Sequence, residues 1–266
     1  SRMRWAWLDR DYQRKADKTG LETKTKGGKM ISGLRCERRE CILSFQDCIN
    51  CARQRQIPQC SIFPEFIQWI AKEEEEKTGI SITQLLFCPR RAWLTAKTSY
   101  IVNPEDMWAM FRGSMFHGFL EQFKNPDTII ETRFERDLFG IKITGKPDKI
   151  DLRTGALYDY KSLSGELSGD RSLRWGHARL HDQVQVNLYR WLVEPQFQIR
   201  SLWIVYLAGD CAVQVPVEIR EPNTKKYKPI AEAFERAKAL SPIWDKNYEE
   251  ILSNPSIQVP KEEGWI

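Results

Sequence analysis

The chain has 266 residues, and its 41% hydrophobic content can fill the core of one large domain, or of a core domain with an appendage. It has no apolar run of about 18 residues, the length that a membrane helix needs, and no uninterrupted apolar segment at its start. Neither a membrane span nor export is indicated, so we expect a globular cytoplasmic protein.

The positive charge is concentrated at the amino-terminal end. The first 40 residues hold twelve Lys or Arg and six Asp or Glu, a net charge of +6, so the rest of the chain sums to −1 against the total of +5. Trp5, Trp7 and Tyr12 stand among these arginines, which suits contact with a nucleic-acid backbone and stacking on bases. A solvated arm is an equal alternative, because KTGLETKTKGGK has the composition of a flexible linker. We predict a basic arm over residues 1–34.

A cysteine-rich segment follows the arm. Five of the seven cysteines lie within 25 residues: Cys36, Cys41, Cys48, Cys51 and Cys60. Cys48 and Cys51 have the C-x-x-C spacing that lets two thiolates reach one ion. Disulfides are disfavoured in an intracellular chain with an odd cysteine count, and five buried free thiols so close together would be unusual. We predict a metal-binding module over residues 35–78, with a structural zinc on Cys41, Cys48, Cys51 and Cys60 and with Cys36 as alternate ligand. An iron–sulfur cluster would accept the same thiolates.

Helices are predicted next, from apolar residues at helical spacing over 62–77, 81–96 and 103–123. Ser81 is suited to cap the second helix, and Pro89 should break or restart it. Pro104 and acidic residues suit the first turn of the third.

Strands are predicted from residue 128 onward, because apolar and polar residues alternate there and again after the turn RTG. Helical spacing returns over 180–194, two further strands follow, and a closing helix is expected over 225–240. This order of elements predicts an α/β core with a mixed sheet.

The stretch GKPDKIDLRTGALYDYK, residues 145–161, carries the strongest candidate chemistry. Asp148 and Asp159 can share one divalent cation if their strands are neighbours, and hydrolysis of a phosphodiester needs such a cation. Lys161 lies on the same face of its strand as Asp159 and could orient the attacking water or stabilise developing charge. Asp151 is interpreted as a surface or structural carboxylate. A charged hairpin without chemistry would show the same isolated pattern.

Residues outside this stretch strengthen the interpretation. Gln185 and Tyr189 are four residues apart on the helix downstream, so both can reach one substrate phosphate, although an ordinary amphipathic helix would also fit. His117 precedes the stretch, with Gly113 one turn earlier, where a glycine allows close approach of another backbone. A lone histidine on a helix is more often structural than a ligand. Glu121 and Glu131 are further candidate acids of lower weight.

Together these motifs resemble the PD-(D/E)XK nuclease superfamily, in particular its RecB-like branch, which includes the CRISPR-associated exonucleases of spacer acquisition. The matching strings are GSMFH, GKPD, DYK and QVNLY, which occur in the family's order over residues 81–192. The resemblance implies a restriction-endonuclease-like core over residues 79–266. It also implies that His117, Asp148 and Asp159, with the backbone carbonyl of Tyr160, bind Mn²⁺ or Mg²⁺. Lys161 would be the catalytic lysine, and Gln185 and Tyr189 would position DNA.

The string SITQLLFCPRRAWL is similar to the opening of the CRISPR-associated members, where the cysteine matching Cys88 is one ligand of a four-iron cluster. The family's three further ligands come from cysteines near the carboxyl terminus, but no cysteine follows Cys211 here. Cys88 is therefore expected to be an orphan ligand, or to join a cluster with the upstream cysteines.

The leading prediction is a divalent-metal-dependent DNase, most simply an exonuclease on single-stranded or frayed DNA ends, with endonuclease cutting left open. Expected partners are DNA and proteins of CRISPR adaptation or DNA repair. The alternative is a non-catalytic DNA-binding adaptor of an integration or repair complex. A zinc-stabilised enzyme acting on RNA would differ only in its substrate.

Overall fold

The computed structural model describes residues 31–58, 60–72, 79–163, 173, 176–208, 211–221, 228–246 and 250–251. These divide into two units. The first holds the described residues up to Glu76 together with Ser99–Pro104, and the second holds Lys77–Thr98 and the described residues from Glu105 onward. Residues 1–30 of the predicted basic arm, with Trp5, Trp7 and Tyr12, lie outside the described residues. The segment Ser99–Pro104, which we expected in the nuclease domain, clusters with the first unit.

Eleven strands and seven α-helices are found in the described part of the chain. The strands are β1 (Ile31–Cys36), β2 (Cys41–Leu43), β3 (Ile80–Ser81), β4 (Tyr100–Val102), β5 (Thr128–Ile130), β6 (Phe134–Leu138), β7 (Ile141–Gly145), β8 (Lys149–Asp151), β9 (Ala156–Ser162), β10 (Ser201–Leu207) and β11 (Ala212–Val217). The helices are α1 (Phe45–Arg53), α2 (Pro64–Ala71), α3 (Ile82–Leu85), α4 (Pro89–Lys97), α5 (Trp108–Leu120), α6 (Leu180–Val193) and α7 (Lys228–Leu240). Short 3-10 turns at Pro104–Met107 and Glu121–Phe123 flank α5.

The first unit is a small three-stranded sheet with two helices. Its strand order is β2-β1-β4, in which β1 and β2 form an antiparallel hairpin and β4 runs parallel to β1. Helix α1 packs on this hairpin and on α2. Strand β1 begins at Ile31, so it crosses the boundary predicted between the arm and the cysteine-rich module.

The second unit contains a mixed five-stranded sheet with the order β11-β10-β9-β8-β5. Strands β9 and β10 are parallel, as the intervening crossover through α6 requires, and the other pairs are antiparallel. Strand β10 buries every second residue, because one of its faces packs on the core. A separate three-stranded sheet has the order β3-β7-β6. The predicted α/β architecture with a mixed sheet is therefore present.

Helix α6 is the central element of this unit, since it packs against strands of both sheets and buries nearly every side chain from Val184 to Val193. The main core surrounds it, with Trp93 and Tyr206 among its largest fully buried side chains. Trp93 Nε1 donates to the carbonyl of Ile243 at 3.0 Å, which ties α4 to the carboxyl-terminal part of this core.

The helix between residues 81 and 96 divides where the sequence predicts it. Ser81 and Gln84 form a reciprocal capping box at α3, and Pro89 opens α4 at a position where its missing N–H costs no hydrogen bond. Helix α2 ends at Ala71, earlier than predicted, and residues 73–78 lie outside the described ranges. Among the helices that the structure describes, none is long and apolar enough to span a membrane.

Candidate metal centre

Two buried aspartates lie opposite each other, Asp148 directly before β8 and Asp159 in the middle of β9. In this antiparallel pair Lys149 is the partner of Tyr158, so Asp148 and Asp159 occupy the next opposed positions. Their exposed fractions are 5% and 1%. The backbone N–H of Tyr160 donates to Asp148 Oδ2 at 2.5 Å, which fixes the orientation of that carboxylate. The proximity expected from the sequence is thus present.

His117 reaches these strands from α5 and contacts two acids. Its Nδ1 lies 2.6 Å from Glu131 Oε1 and 3.4 Å from Asp148 Oδ1. One ligand atom from each of these three residues lies within 4.8 Å of the other two. Within the described part of the chain, this is the group of His, Cys, Asp or Glu residues whose ligand atoms come this close together. A nitrogen and two carboxylates suit Mn²⁺ or Mg²⁺, which bind mainly to oxygen.

Glu131 is the site residue that the sequence underrated. It follows β5, where its backbone N–H donates to the carbonyl of Asp148 at 3.1 Å, and its side chain is 1% exposed. Its φ of +50° is in the left-handed region, which is strained for a glutamate and is common at functional sites. Its second carboxylate oxygen pairs with Lys146. The available signal was an acid at the end of a strand, which is weak without knowledge of strand pairing.

Asp159 is not part of this group of three residues, and its carboxylate contacts a lysine. Lys161 Nζ is 2.8 Å from Asp159 Oδ2 and donates to Gln185 Oε1 at 2.8 Å. Gln185 Nε2 donates in turn to the hydroxyl of Tyr189 at 3.1 Å. Asp159, Lys161, Gln185 and Tyr189 therefore form one continuous chain of contacts.

Burial disfavours the charged form of the two aspartates and raises their pKa values. Burial and the nearby charge of Asp159 raise the pKa of Asp148 to about 8. Burial also raises the pKa of Asp159, against the effect of Lys161. A bound cation would relieve this repulsion, so these residues fit a divalent metal ion.

The other titratable groups respond to their partners. The hydrogen bond with Glu131 raises the pKa of His117. Burial favours a higher pKa for Glu131, but its hydrogen bonds with His117 and Lys146 outweigh burial and lower it. Burial likewise opposes the charge of Lys161, yet its contact with Asp159 raises the pKa of the lysine. Lys161 is therefore protonated at neutral pH.

The two glycines of the predicted motifs have different roles. A Cβ at Gly145 would lie 2.7 Å from Leu192 Cδ2 and 2.9 Å from Tyr189 Cε1, so only glycine allows α6 to approach β7 this closely. Among the described residues, a Cβ at Gly113 would come within 4 Å of Ser162 Oγ alone, at 4.0 Å. The expectation that Gly113 permits close backbone approach is therefore wrong.

A buried acid next to Lys161 was missed in the sequence. Asp182 is 6% exposed and accepts a hydrogen bond from the hydroxyl of Tyr206 at 2.8 Å. Burial favours a higher pKa for Asp182, but His181, Lys161 and Tyr206 together lower it. Tyr206 is the β10 partner of Lys161 on β9, so only the strand register reveals this neighbour.

Two further candidates lie apart from this centre. Glu121 is exposed in the 3-10 turn after α5 and belongs to neither set of contacts above. Cys88 caps α4 in the second unit, where its thiol accepts the N–H of Arg91 at 3.4 Å. Its role as a cluster ligand stays a prediction.

Four cysteines of the first unit lie on α1 and in the β1–β2 hairpin that α1 packs on. Cys48 and Cys51 lie one turn apart on this helix, and Cys36 and Cys41 are cross-strand partners in the β1–β2 hairpin. Burial and the charges of Cys60, Cys36 and Cys51 raise the pKa of Cys48 to about 11. Among the described cysteines, no three sulfur atoms lie within 4.8 Å of one another.

Comparison with known proteins gives distant structural likenesses. No protein-family profile matches the chain, and no curated protein matches it. The solved structure of the protein SSO0001 is 18% identical, with a TM-score of 0.45, and the match covers 69% of this chain and 85% of that one. A solved structure of a candidate exonuclease from Eubacterium rectale is 12% identical, with a TM-score of 0.40, covering 62% of this chain and 79% of that one.

Proposed function

We propose that this chain is a divalent-metal-dependent DNase that hydrolyses phosphodiester bonds, acting as an exonuclease on single-stranded or frayed ends. One observation carries the proposal: the ligand atoms of His117, Glu131 and Asp148 converge within 4.8 Å beside the Asp159–Lys161 pair. Mn²⁺ or Mg²⁺ held there would neutralise phosphate oxygens and lower the pKa of a water molecule.

The proposed ligands are His117, Glu131 and Asp148, with Asp159 and the carbonyl of Tyr160 retained from the motif resemblance. Glu131 is the addition, because it contacts His117 directly and is buried beside Asp148. The carboxylate of Asp159 is proposed to contact both the metal ion and Lys161. Its distance from Lys161 is 2.8 Å. This arrangement explains why several acids are buried so close together.

Lys161 is proposed to act as a charged hydrogen-bond donor. Its pKa is raised, so its ammonium keeps its proton and is unsuited to be a general base. Contacts with Asp159 and Gln185 hold the ammonium in place, where it can donate to the attacking water or to a phosphate oxygen. Tyr189 is proposed to position Gln185 through their hydrogen bond.

The cysteine-rich module is proposed to bind a structural metal ion, zinc in preference to an iron–sulfur cluster. The proposed ligands are Cys41, Cys48, Cys51 and Cys60, with Cys36 as the alternate ligand, because Cys36 is the cross-strand partner of Cys41 in the β1–β2 hairpin. The sulfurs would have to move closer together to complete a tetrahedral site, for which each Zn–S bond is about 2.3 Å.

The test compares Asp148→Ala, Asp159→Ala and Lys161→Ala with Lys142→Ala as the control. Lys142 makes an exposed ion pair with Glu135, so its loss removes a lysine charge without touching the site. Each protein is incubated with linear and with circular single-stranded DNA in Mn²⁺ or Mg²⁺, and products are followed on gels. We expect each site variant to lose at least about 100-fold in rate.

The pattern of cutting distinguishes the candidate functions. Cleavage of the linear strand alone supports an exonuclease, and cleavage of both strands indicates an endonuclease. Binding without cleavage of either would favour the adaptor, and preference for an RNA strand would favour the RNA-processing enzyme. Full activity in Lys161→Ala would overturn the assignment of the site.

A further inference from the structure

Helix α5 carries an unusual amount of exposed aromatic surface for a helix of mostly apolar residues. None of its thirteen residues is buried. Phe119 is 51% exposed, and Phe123, in the 3-10 turn that follows, is 55% exposed. Large exposed apolar patches of this kind mark binding surfaces in soluble proteins.

The aromatic side chains form a continuous row that begins at the candidate metal centre. Ring centroids are separated by 5.4 Å between Tyr160 and Phe116, by 6.5 Å between Phe116 and Phe119, and by 4.9 Å between Phe119 and Phe123. Successive residues of the helical part are three apart, which places them on one face of α5. We call these four side chains the aromatic row.

The inner end of the row is joined to the metal centre through covalent neighbours. Phe116 precedes His117, one of the proposed metal ligands, and their rings are 6.4 Å apart. Tyr160 lies between Asp159 and Lys161, and its backbone N–H contacts Asp148. A strand whose phosphate lies at the metal centre would therefore bring its neighbouring bases to the row.

We propose that the aromatic row is a base-stacking site for single-stranded nucleic acid, which leads the strand into the metal centre. Aromatic rings accept any base by stacking, whereas a duplex keeps its bases paired inside and presents no face to them. Lys124, exposed next to Phe123, adds a positive charge for the backbone at the outer end. The inference rests on the proposed nuclease function and names the form of substrate that the site would take.

The experiment measures binding of a fluorescent single-stranded oligonucleotide to the whole chain in Ca²⁺, and hydrolysis of thymidine 5′-(4-nitrophenyl phosphate) in Mn²⁺. The variants are Phe119→Ala/Phe123→Ala, the corresponding double leucine variant, and Phe139→Ala as the control. Phe139 is 48% exposed in the turn between β6 and β7, outside the aromatic row.

We expect the double alanine variant to bind the oligonucleotide at least about tenfold more weakly, because stacking of each base contributes severalfold or more to affinity. The double leucine variant should be equally weak, because leucine keeps apolar area but offers no ring. Hydrolysis of the small ester should be unchanged, since it does not extend along the row. Phe139→Ala should match the wild type in both assays.

Three results would overturn the proposal. Wild-type affinity in the double alanine variant would show that the rings do not touch the strand. Full affinity in the double leucine variant would show that apolar area matters and stacking does not. A dimer of the wild-type chain that dissociates in the double alanine variant would identify the surface as an interface between two copies. Binding through the rings without any cleavage would refute the nuclease function and leave the stacking site intact.

Discussion

The metal-free protein should become more stable when Asp148 is replaced by asparagine. Burial and the charge of Asp159 raise the pKa of Asp148 from 3.8 to about 8. Between these values the folded protein holds a proton that the unfolded chain has released, so this group makes stability fall as pH rises through that window. Asparagine does not titrate in this pH range. The gain in stability of the Asp148→Asn variant over the wild type should therefore be larger at pH 8 than at pH 5.

The size of this gain in stability follows from the repulsion between Asp148 and Asp159, which the substitution relieves. The substitution sacrifices part of the contacts of Asp148 with Tyr160 and His117, so we expect a gain equivalent to one or two pKa units, or about 1.4–2.7 kcal/mol. For a unit of this size that corresponds to a rise in Tm of about 3–10 °C.

The assay is thermal unfolding followed by circular dichroism in EDTA at pH 5 and pH 8. Asp151→Asn is the matched control, because Asp151 lies on the same β-hairpin but is solvated. Hydrogen bonds from the backbone N–H groups of Thr154 and Arg153 lower the pKa of Asp151. Its replacement should therefore bring no gain in Tm. An Asp148→Asn protein no more stable than the wild type at pH 8, or equally stabilised at both pH values, would refute the reasoning.

Metal ions should stabilise the wild type more than the Asp148→Asn variant. Mn²⁺ at 100 times its dissociation constant should stabilise the wild type by about 2.7 kcal/mol. Asp148→Asn should gain much less, because it lacks a proposed ligand. An equal gain in both proteins would remove Asp148 from the ligand set.

Further substitutions test the packing of the core and the cysteine module. Gly145→Ala should lower the free energy of unfolding by about 1–3 kcal/mol, measured by urea titration, because the new Cβ overlaps the ring of Tyr189; unchanged stability would show that α6 can move away freely. Cys48→Ser should reduce the metal content per chain, measured by mass spectrometry of the purified protein, because Cys48 and Cys51 lie one turn apart on α1 with the C-x-x-C spacing of the proposed site. A metal content equal to that of the wild type would exclude Cys48 as a ligand.

Much of the candidate site was predictable from the sequence because it lies in local motifs. Asp159 and Lys161 are two residues apart on one strand, and Gln185 and Tyr189 are four apart on one helix, so periodicity alone places each pair on a common face. The structure then joins the two pairs through the contact between Lys161 and Gln185.

The contact of His117 with Glu131, and that of Asp182 with Tyr206, could not be predicted from the sequence because both depend on pairing between distant segments. Glu131 reaches the site only because β5 pairs with β8, which places Glu131 beside Asp148. Asp182 becomes a neighbour of Lys161 because Tyr206, which binds it, is paired with Lys161 across β9 and β10. Sequence spacing carries no record of such register.

The sequence by itself therefore determined the local features: the capping of α3 at Ser81, the break at Pro89, the alternation of the strands, and the spacing of the site residues along each element. These depend on backbone dihedrals and side-chain period, which act over a few residues. Only the tertiary structure decided three other features. These are the contact of His117 with Glu131, the set of cysteines near Cys48, and the exposure of the aromatic rings of α5. Each of these depends on burial and on electrostatic contacts across many residues, which arise when the chain packs.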